Sequence, residues 1–194
     1  MTGGVAAGKS TFLGLLEEAG VPTLSADAVV HEIYEQSDFI GLVAKRLGPQ
    51  VIENGMVSRD AVAEAIFADP EARVWIEQQI WPRVGQRILD FRKHWESVEK
   101  PPQVIVVEVP LLFESGMDQA FDLTATVIAT PEERMRRAGE RGDVEIEARE
   151  ERQMPQDEKA QRSDIVIEND GSLETLANEA RLFPGLAWDL INIC

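Results

Sequence analysis

The chain has 194 residues, a formal net charge of −16 at pH 7, 44% hydrophobic residues and a single cysteine, Cys194. This length and apolar content predict one domain with a substantial core, and no apolar run is long enough to predict a membrane-spanning helix. The acidic charge excludes a general nucleic-acid binder and argues against binding to anionic membranes, and a lone cysteine excludes an internal disulfide. We therefore expect a cytoplasmic protein that acts on a small molecule, as a monomer or a small homo-oligomer.

The first motif lies at residues 3–11, which read G-G-V-A-A-G-K-S-T and match the phosphate-loop pattern G-x-x-x-x-G-K-[ST]. In this pattern backbone N–H groups surround a triphosphate, the lysine reaches the β- and γ-phosphates, and the hydroxyl that follows it binds Mg²⁺. The dipole of the next helix adds positive potential at the same place. The alternative is a glycine-rich turn that binds nothing. The motif predicts an ATP and Mg²⁺ site formed by Gly3, Gly4, Val5, Ala6, Ala7, Gly8, Lys9, Ser10 and Thr11.

The strand that should deliver this loop is missing from the sequence, because only Met1 and Thr2 precede Gly3. One explanation is a shortened chain, in which about five or six further residues would complete the strand. The other is a fold that has lost a central strand, which would leave backbone groups unpaired on both neighbours. We favour the first explanation and expect no first strand in the chain as it stands.

The section at 27–98 is predicted to be all-helical and to lie between strands, the first of which is expected at 21–24. Within it, Ser58 is predicted to cap one helix, and Asp69 begins the next with a proline at its first position. Pro82 is expected to kink or interrupt that second helix.

Two apolar, β-branched runs, at 104–107 and 123–129, predict parallel strands buried on both faces, and 165–167 is predicted to be a third, short strand. Helices separate them, and the last helix is expected to be capped by Ser172 and broken at Pro184. This alternation predicts an α/β fold with a doubly wound parallel sheet.

The predicted organisation is a single P-loop kinase domain spanning 1–194. Eight of the 19 lysines and arginines lie at 131–162. They predict either a lid that places arginines over the phosphates or a solvated helical surface, since glutamates alternate with them at helical spacing. The predicted parts are a core at 1–26, 103–130 and 163–194, a substrate-binding region at 27–102, and a lid at 131–162.

Two carboxylates follow predicted strands and are candidates for chemistry. Asp27 lies where a kinase needs an acid to orient the acceptor hydroxyl and take its proton, although an aspartate at this place can also be a simple helix N-cap. Glu108 ends the apolar run at 104–107, a usual position for an acid that supports Mg²⁺ or its water shell. The alternative for Glu108 is an exposed acid at a strand end.

Together these segments resemble the dephospho-coenzyme A kinase family. V-P-L-L-F-E-S-G at 109–116 is similar to the most distinctive stretch of that family, and F-A-D-P-E-A-R at 67–73 and E-N-D-G-S at 168–172 are similar to two others. The resemblance extends over essentially the whole chain, in order. It implies transfer of the γ-phosphate of ATP to the ribose 3′-hydroxyl of dephospho-coenzyme A, with Mg²⁺. It also implies a P-loop NTPase fold of the nucleotide-kinase-like type, with a helical substrate-binding insertion and a small helical lid.

The resemblance also implies roles for individual residues. Asp27 matches the general base of the family, and Arg137 and Arg141 match lid arginines that bind the nucleotide, Arg141 being the better candidate for the phosphates. The implied catalytic residues are Asp27, Lys9 and Arg141; the implied acceptor contacts are Asp27, Glu108, Pro110 and Leu111; the implied metal ligands are Ser10 and Glu108.

The chain departs from the family pattern at several positions. Trp81 replaces the histidine of a His-Pro dipeptide, and Ser25 replaces the first acid of an Asp-Ala-Asp sequence. Two other functions are consistent with the loop: a P-loop kinase of another small acceptor, such as a nucleoside monophosphate, and a nucleotide-binding module without catalysis.

Overall fold

The computed structural model describes residues 1–141 and 153–193, and for Arg141 and Ile193 it describes only the backbone. The chain forms two compact units. One comprises Met1–Leu24 and Trp95–Cys194, and the other comprises Ser25–His94.

The first unit contains the sheet that carries the loop. Strands β1 (Thr2–Gly3), β6 (Ala125–Ile128) and β7 (Ile165–Glu168) are parallel and lie in the order β1-β6-β7. Strand β2 (Thr23–Ser25) pairs with β5 (Val106–Glu108). All residues of β5 are buried, as the apolar runs predicted, whereas β7 alternates between buried and exposed positions, as expected of a strand that is covered on one face only.

The expectation that the first strand is absent was wrong. Thr2 pairs with Thr126 and Gly3 with Val127, so β1 occupies its place beside β6 with only two residues. On the other side Met1 bonds to β5 and the residue after it: its amino group donates to Val107 O at 2.7 Å, and its carbonyl accepts from Val109 N at 2.9 Å. Pairing on both sides compensates for the short strand, because it satisfies backbone groups that burial would otherwise leave unpaired.

Four helices complete the described part of this unit: α1 (Lys9–Glu18), α6 (Pro131–Arg141), α7 (Gln156–Arg162) and α8 (Leu173–Ile193). Helix α1 packs on α8 through an edge-to-face contact between Phe12 and Phe183, with ring centroids 5.8 Å apart. Both side chains belong to the main core cluster, together with Ala125 and Val127 of β6 and Ile165 and Ile167 of β7. The sheet and these helices therefore hold the loop at residues 3–8 on a rigid support.

The second unit contains α2 (Ala26–Tyr34), α3 (Ser37–Leu47), α4 (Arg59–Ala68) and most of α5 (Pro70–Glu96). Ser58 caps α4 as predicted, since its hydroxyl accepts from Ala61 N at 3.4 Å.

The prediction that this section is all-helical was wrong in one place. Strands β3 (Ile52–Glu53) and β4 (Met56–Val57) form an antiparallel hairpin. Its turn is Asn54-Gly55, both with positive φ, which is the strongest short-range hairpin signal in a sequence.

Neither Pro82 nor Pro184 interrupts its helix, so the predicted break at Pro184 was wrong. Helix α5 continues through Pro82, and α8 continues through Pro184. In each case buried apolar residues continue at helical spacing on both sides of the proline, as Phe183 and Ala187 do around Pro184. Packing of such a stripe outweighs the local cost of a missing hydrogen bond.

None of the helices in the described part of the chain combines the length and apolar character needed to cross a membrane.

Candidate active site

The backbone of the loop requires glycine at its two motif positions. A β-carbon on Gly3 would collide with the carbonyl oxygen of Val127 in the neighbouring strand. Gly8 has a φ of 97° in the left-handed region, and a β-carbon there would collide with the side-chain amide of Asn169. The glycines predicted from the sequence are therefore needed both for the loop conformation and for its contact with two strands.

Helix α1 begins directly after the loop, and its first turn contains no acidic residue. Lys9 Nζ donates to the carbonyl oxygens of Gly3 at 3.2 Å and Gly4 at 2.8 Å. The ammonium therefore lies against the loop, and the N-terminus of α1 faces the same loop. Ser10 is exposed in the first turn. A cation and the positive end of a helix dipole at one place form an anion site, as the motif predicts.

Asn169 and Arg137 hold the loop from the side. Asn169, the first residue after β7, donates from Nδ2 to Ala7 O at 2.8 Å. Arg137 Nη2 donates to Asn169 O at 2.7 Å, and its Nη1 donates to Ala7 O at 3.5 Å. The sequence predicted Arg137 near the nucleotide but missed Asn169; the signal for Asn169 was a polar residue directly after a buried strand.

Gln156 and Arg134 lie beside the start of the loop and were also missed as site residues. A β-carbon on Gly4 would lie 2.8 Å from Gln156 Oε1 and 3.4 Å from Arg134 Nη1. Gln156 is fixed by two bonds to the backbone of Ala129 at the end of β6, one of them a donation from its Nε2 to Ala129 O at 2.7 Å. Burial lowers the pKa of the Arg134 guanidinium, although the charge of Asp157 acts in the opposite direction. A phosphate near Gly4 would favour the charged form of this arginine.

The segment after β5 carries the predicted acceptor contacts. Glu108 is buried at the end of β5, and the half-buried Pro110 and Leu111 follow it. The carbonyl oxygen of Pro110 accepts from Thr2 Oγ1 at 3.1 Å and from Lys159 Nζ at 2.7 Å. Two donors therefore fix the backbone of this segment relative to β1 and α7.

Asp27 belongs to the second unit and lies in the first turn of α2. The helix cap is Ser25, whose hydroxyl accepts from Ala28 N at 3.4 Å, so Asp27 is not the N-cap that the sequence left open as an alternative. The Asp27 carboxylate is 3.7 Å from the guanidinium of Arg59, with the two side chains 58% and 46% exposed. Arg59 also contacts the ring of His31. The Asp27 carboxylate is thus exposed and paired with Arg59, and it does not cap the helix.

The residues proposed for the metal are chemically suited to Mg²⁺. No group of three or more histidine, cysteine, aspartate or glutamate residues that could hold a metal occurs in the described ranges. Mg²⁺ does not need such a group, because it is usually bound by one or two protein oxygens, phosphate oxygens and water. The Ser10 hydroxyl and the Glu108 carboxylate supply protein oxygens of this kind, so the donor set fits.

One predicted residue cannot be placed. The side chain of Arg141, together with residues 142–152 of the predicted lid, lies outside the described residues.

The family model for dephospho-CoA kinase (CoaE) matches residues 1–175. A dephospho-CoA kinase of Listeria innocua is 35% identical over 189 residues, covering 94% of this chain and 93% of the relative. A dephospho-CoA kinase of Thermus thermophilus is 36% identical over 179 residues, covering 91% of this chain and 84% of the relative.

Two solved structures share the fold. A Thermus thermophilus protein has a TM-score of 0.79 at 38% identity, covering 96% of this chain and 94% of that one. A dephospho-CoA kinase from Campylobacter jejuni has a TM-score of 0.70 at 23% identity, covering 97% and 95%. The chain has the phosphate loop and the α/β fold, and the family model matches residues 1–175. The chain therefore belongs to the dephospho-CoA kinase family.

Proposed function

We propose that this protein transfers the γ-phosphate of ATP to the ribose 3′-hydroxyl of dephospho-coenzyme A. The observation that carries the proposal is the loop at residues 3–8, whose glycine-dependent backbone and Lys9 form an anion site in a chain that belongs to a kinase family.

ATP binds at this loop. The N–H groups of the loop and the first turn of α1 face the phosphates, and Lys9 moves its ammonium from the carbonyls of Gly3 and Gly4 to the β- and γ-phosphates. Arg137 acts mainly by fixing the loop, because its guanidinium is bonded to Ala7 and Asn169. Arg141 remains the candidate for direct contact with the phosphates, from the family resemblance.

Asp27 acts as the general base. Its carboxylate is exposed, and its nearest cation in the second unit is Arg59, which orients it without burying it. A carboxylate in this state can accept the proton of the acceptor hydroxyl as phosphoryl transfer proceeds. Asp27 is not needed as the N-cap of α2, because Ser25 occupies that position.

Ser10 and Glu108 would hold Mg²⁺ with the nucleotide, and the metal would neutralise charge on the phosphoryl oxygens. Glu108, Pro110 and Leu111 contact the acceptor, on a segment whose backbone is fixed by Thr2 and Lys159. A cytoplasmic location agrees with the use of ATP and with the single cysteine.

The test is ADP release measured with dephospho-coenzyme A, with a nucleoside monophosphate, and without acceptor. We expect turnover that depends on dephospho-coenzyme A and yields coenzyme A, identified by its mass. Turnover with the nucleoside monophosphate alone would indicate another acceptor. ATP binding by calorimetry without any turnover would indicate a nucleotide-binding module, and would contradict the proposal.

A further inference from the structure

Lys159 is a fully buried lysine that the proposed chemistry does not use. Its side chain is 0% exposed, and it is the one buried residue of α7, a helix whose sequence Q-D-E-K-A-Q-R has no apolar stripe. Burying an ammonium is costly unless hydrogen bonds and an opposite charge compensate for lost water. The contacts of Lys159 therefore determine the position of α7.

The Lys159 ammonium contacts both ends of the stretch at 110–114. This stretch belongs to the acceptor segment, the residues at 108–114 that carry the proposed acceptor contacts. It donates to Pro110 O at 2.7 Å and lies 2.9 Å from the Glu114 carboxylate. Between these two residues the side chains of Leu112 and Phe113 are buried. One cation thus joins the two ends of the turn at 110–114, whose carbonyls at 111–113 accept from the backbone N–H groups of residues 115–117.

A second connection leads from the same pair to Met154, which lies within the predicted lid at 131–162. Glu114 Oε1 also accepts from Met154 N at 2.7 Å, and Met154 lies just after residues 142–152. Helix α7 adds a further contact to the same turn, because the Arg162 guanidinium lies 4.5 Å from the centroid of the Phe113 ring. The turn, α7 and Met154 are therefore joined through the Lys159–Glu114 pair.

We propose that Lys159 is a positioning residue for the acceptor. Through Pro110 O and Glu114 it fixes the backbone that carries Pro110 and Leu111, and so it sets the affinity for dephospho-coenzyme A rather than for ATP. This inference rests on the proposed function, which assigns Pro110 and Leu111 to acceptor binding.

A structural role alone makes a different prediction. Removing one member of a buried ion pair destabilises the fold, whereas replacing both members with neutral groups of similar volume is often close to neutral for stability. The double variant therefore separates a change in acceptor binding from a change in folding. A residue that only stabilises the fold would alter the binding of ATP and of the acceptor together, or neither of them.

The test compares Lys159→Met with Glu114→Gln, with the double variant and with Gln161→Met. Gln161 is an exposed residue of the same helix, so this control introduces the same side chain without touching the pair. We expect Lys159→Met to raise the KM for dephospho-coenzyme A by about tenfold, as a displaced substrate-positioning segment should. We expect the ATP affinity, measured by calorimetry, to change by less than about twofold, which corresponds to less than about 0.4 kcal/mol of binding free energy.

Glu114→Gln keeps the volume and an oxygen that can accept from Met154, so it serves if the lysine variant fails to fold. It should raise the same KM less, and the double variant should be no worse than Lys159→Met, because residues of one network are not additive. An unchanged acceptor KM in both single variants, additive effects, or a parallel loss of ATP affinity would overturn the positioning role. Absence of wild-type turnover with dephospho-coenzyme A would instead refute the proposed function, and this inference with it.

Discussion

Asp27 is available for chemistry because a neighbouring residue caps the helix. Ser25 takes the N-cap, which leaves the Asp27 carboxylate exposed and 3.7 Å from Arg59. Exposed ion pairs of this kind contribute little to stability, since water screens them and two long side chains must be ordered. Removing the charge of Asp27 should therefore affect catalysis far more than folding.

We expect Asp27→Asn to lower the rate of phosphoryl transfer by about 10²- to 10⁴-fold, the usual contribution of a general base. ATP affinity and the unfolding midpoint should stay close to those of the wild type. Steady-state kinetics and calorimetry measure these quantities. Asp60→Asn, in the first turn of α4, is the matched control and should keep full activity. Wild-type turnover in the Asp27 variant would show that this acid is not the base.

Gly8 supports a prediction about the loop itself. Gly8→Ala places a β-carbon in the left-handed region at φ 97° and against the amide that bonds to Ala7. Strain of this kind costs about 1–2 kcal/mol of unfolding free energy, and the displaced loop should lose at least about tenfold in ATP affinity.

Chemical denaturation and calorimetry check the two effects in Gly8→Ala. Gly14→Ala is the control, because Gly14 lies inside α1 with open space around its β-position. It should keep ATP affinity and gain up to about 1 kcal/mol in stability. Equal ATP affinity in both variants would contradict the role of Gly8.

Helix α8 continues through Pro184 because its apolar face stays buried. Phe183 and Ala187 both belong to the main core cluster, so breaking the helix between them would expose one of them. The proline nevertheless cannot donate a backbone hydrogen bond and crowds the preceding turn. The helix therefore keeps a local cost that its packing outweighs.

We expect Pro184→Ala to raise the free energy of unfolding by about 1 kcal/mol. This gain is smaller than the difference in helix propensity between the two residues, because the half-buried proline ring also contributes packing. The measurement is denaturant unfolding, with enzyme activity as a check that the fold is kept. Gly185→Ala, at the next and exposed position of the helix, should gain up to a similar amount. A loss of stability in the proline variant would mean that ring packing exceeds the cost of the missing bond.

Met1 ties the stability of the whole molecule to pH. Its amino group is buried beside β5, where it donates to Val107 O. Burial lowers the pKa of this group from 8.0 to about 5, although the nearby charge of Glu108 acts in the opposite direction. Between these two pKa values the unfolded chain binds a proton at this site and the folded chain does not.

In the polypeptide that begins at Met1, this group therefore makes the free energy of unfolding rise with pH from about 5 to 8, by at most about 1.4 kcal/mol per pH unit. Its contribution is flat above and below that window. Denaturant unfolding at a series of pH values measures the slope. The same chain with an acetylated amino group is the control and should lack this component. An identical pH dependence in both forms would show that the amine is not buried as described.

The sequence predicted those parts of the molecule that depend on neighbours in the chain. The loop motif, Lys9 at the start of α1 and the cap at Ser58 were recognisable from patterns of a few residues, although contacts with the distant Val127 and Asn169 also require the glycines. The buried strand β5 followed from its apolar run. The Asn54-Gly55 turn carried an equally local signal, but the helical pattern around it was given more weight.

Contacts between distant segments were decided only by the tertiary structure. Asn169 reaches Ala7 across 162 positions of the chain, Lys159 reaches Pro110 across 49, and Met1 reaches Val107 across 106. No local pattern encodes such pairs, because they depend on which surfaces the packed core brings together. The same holds for the two prolines, whose local preference was outweighed by burial of an apolar stripe. The sequence thus determined the loop and its chemistry, whereas packing determined which residues hold the loop and the acceptor segment in place.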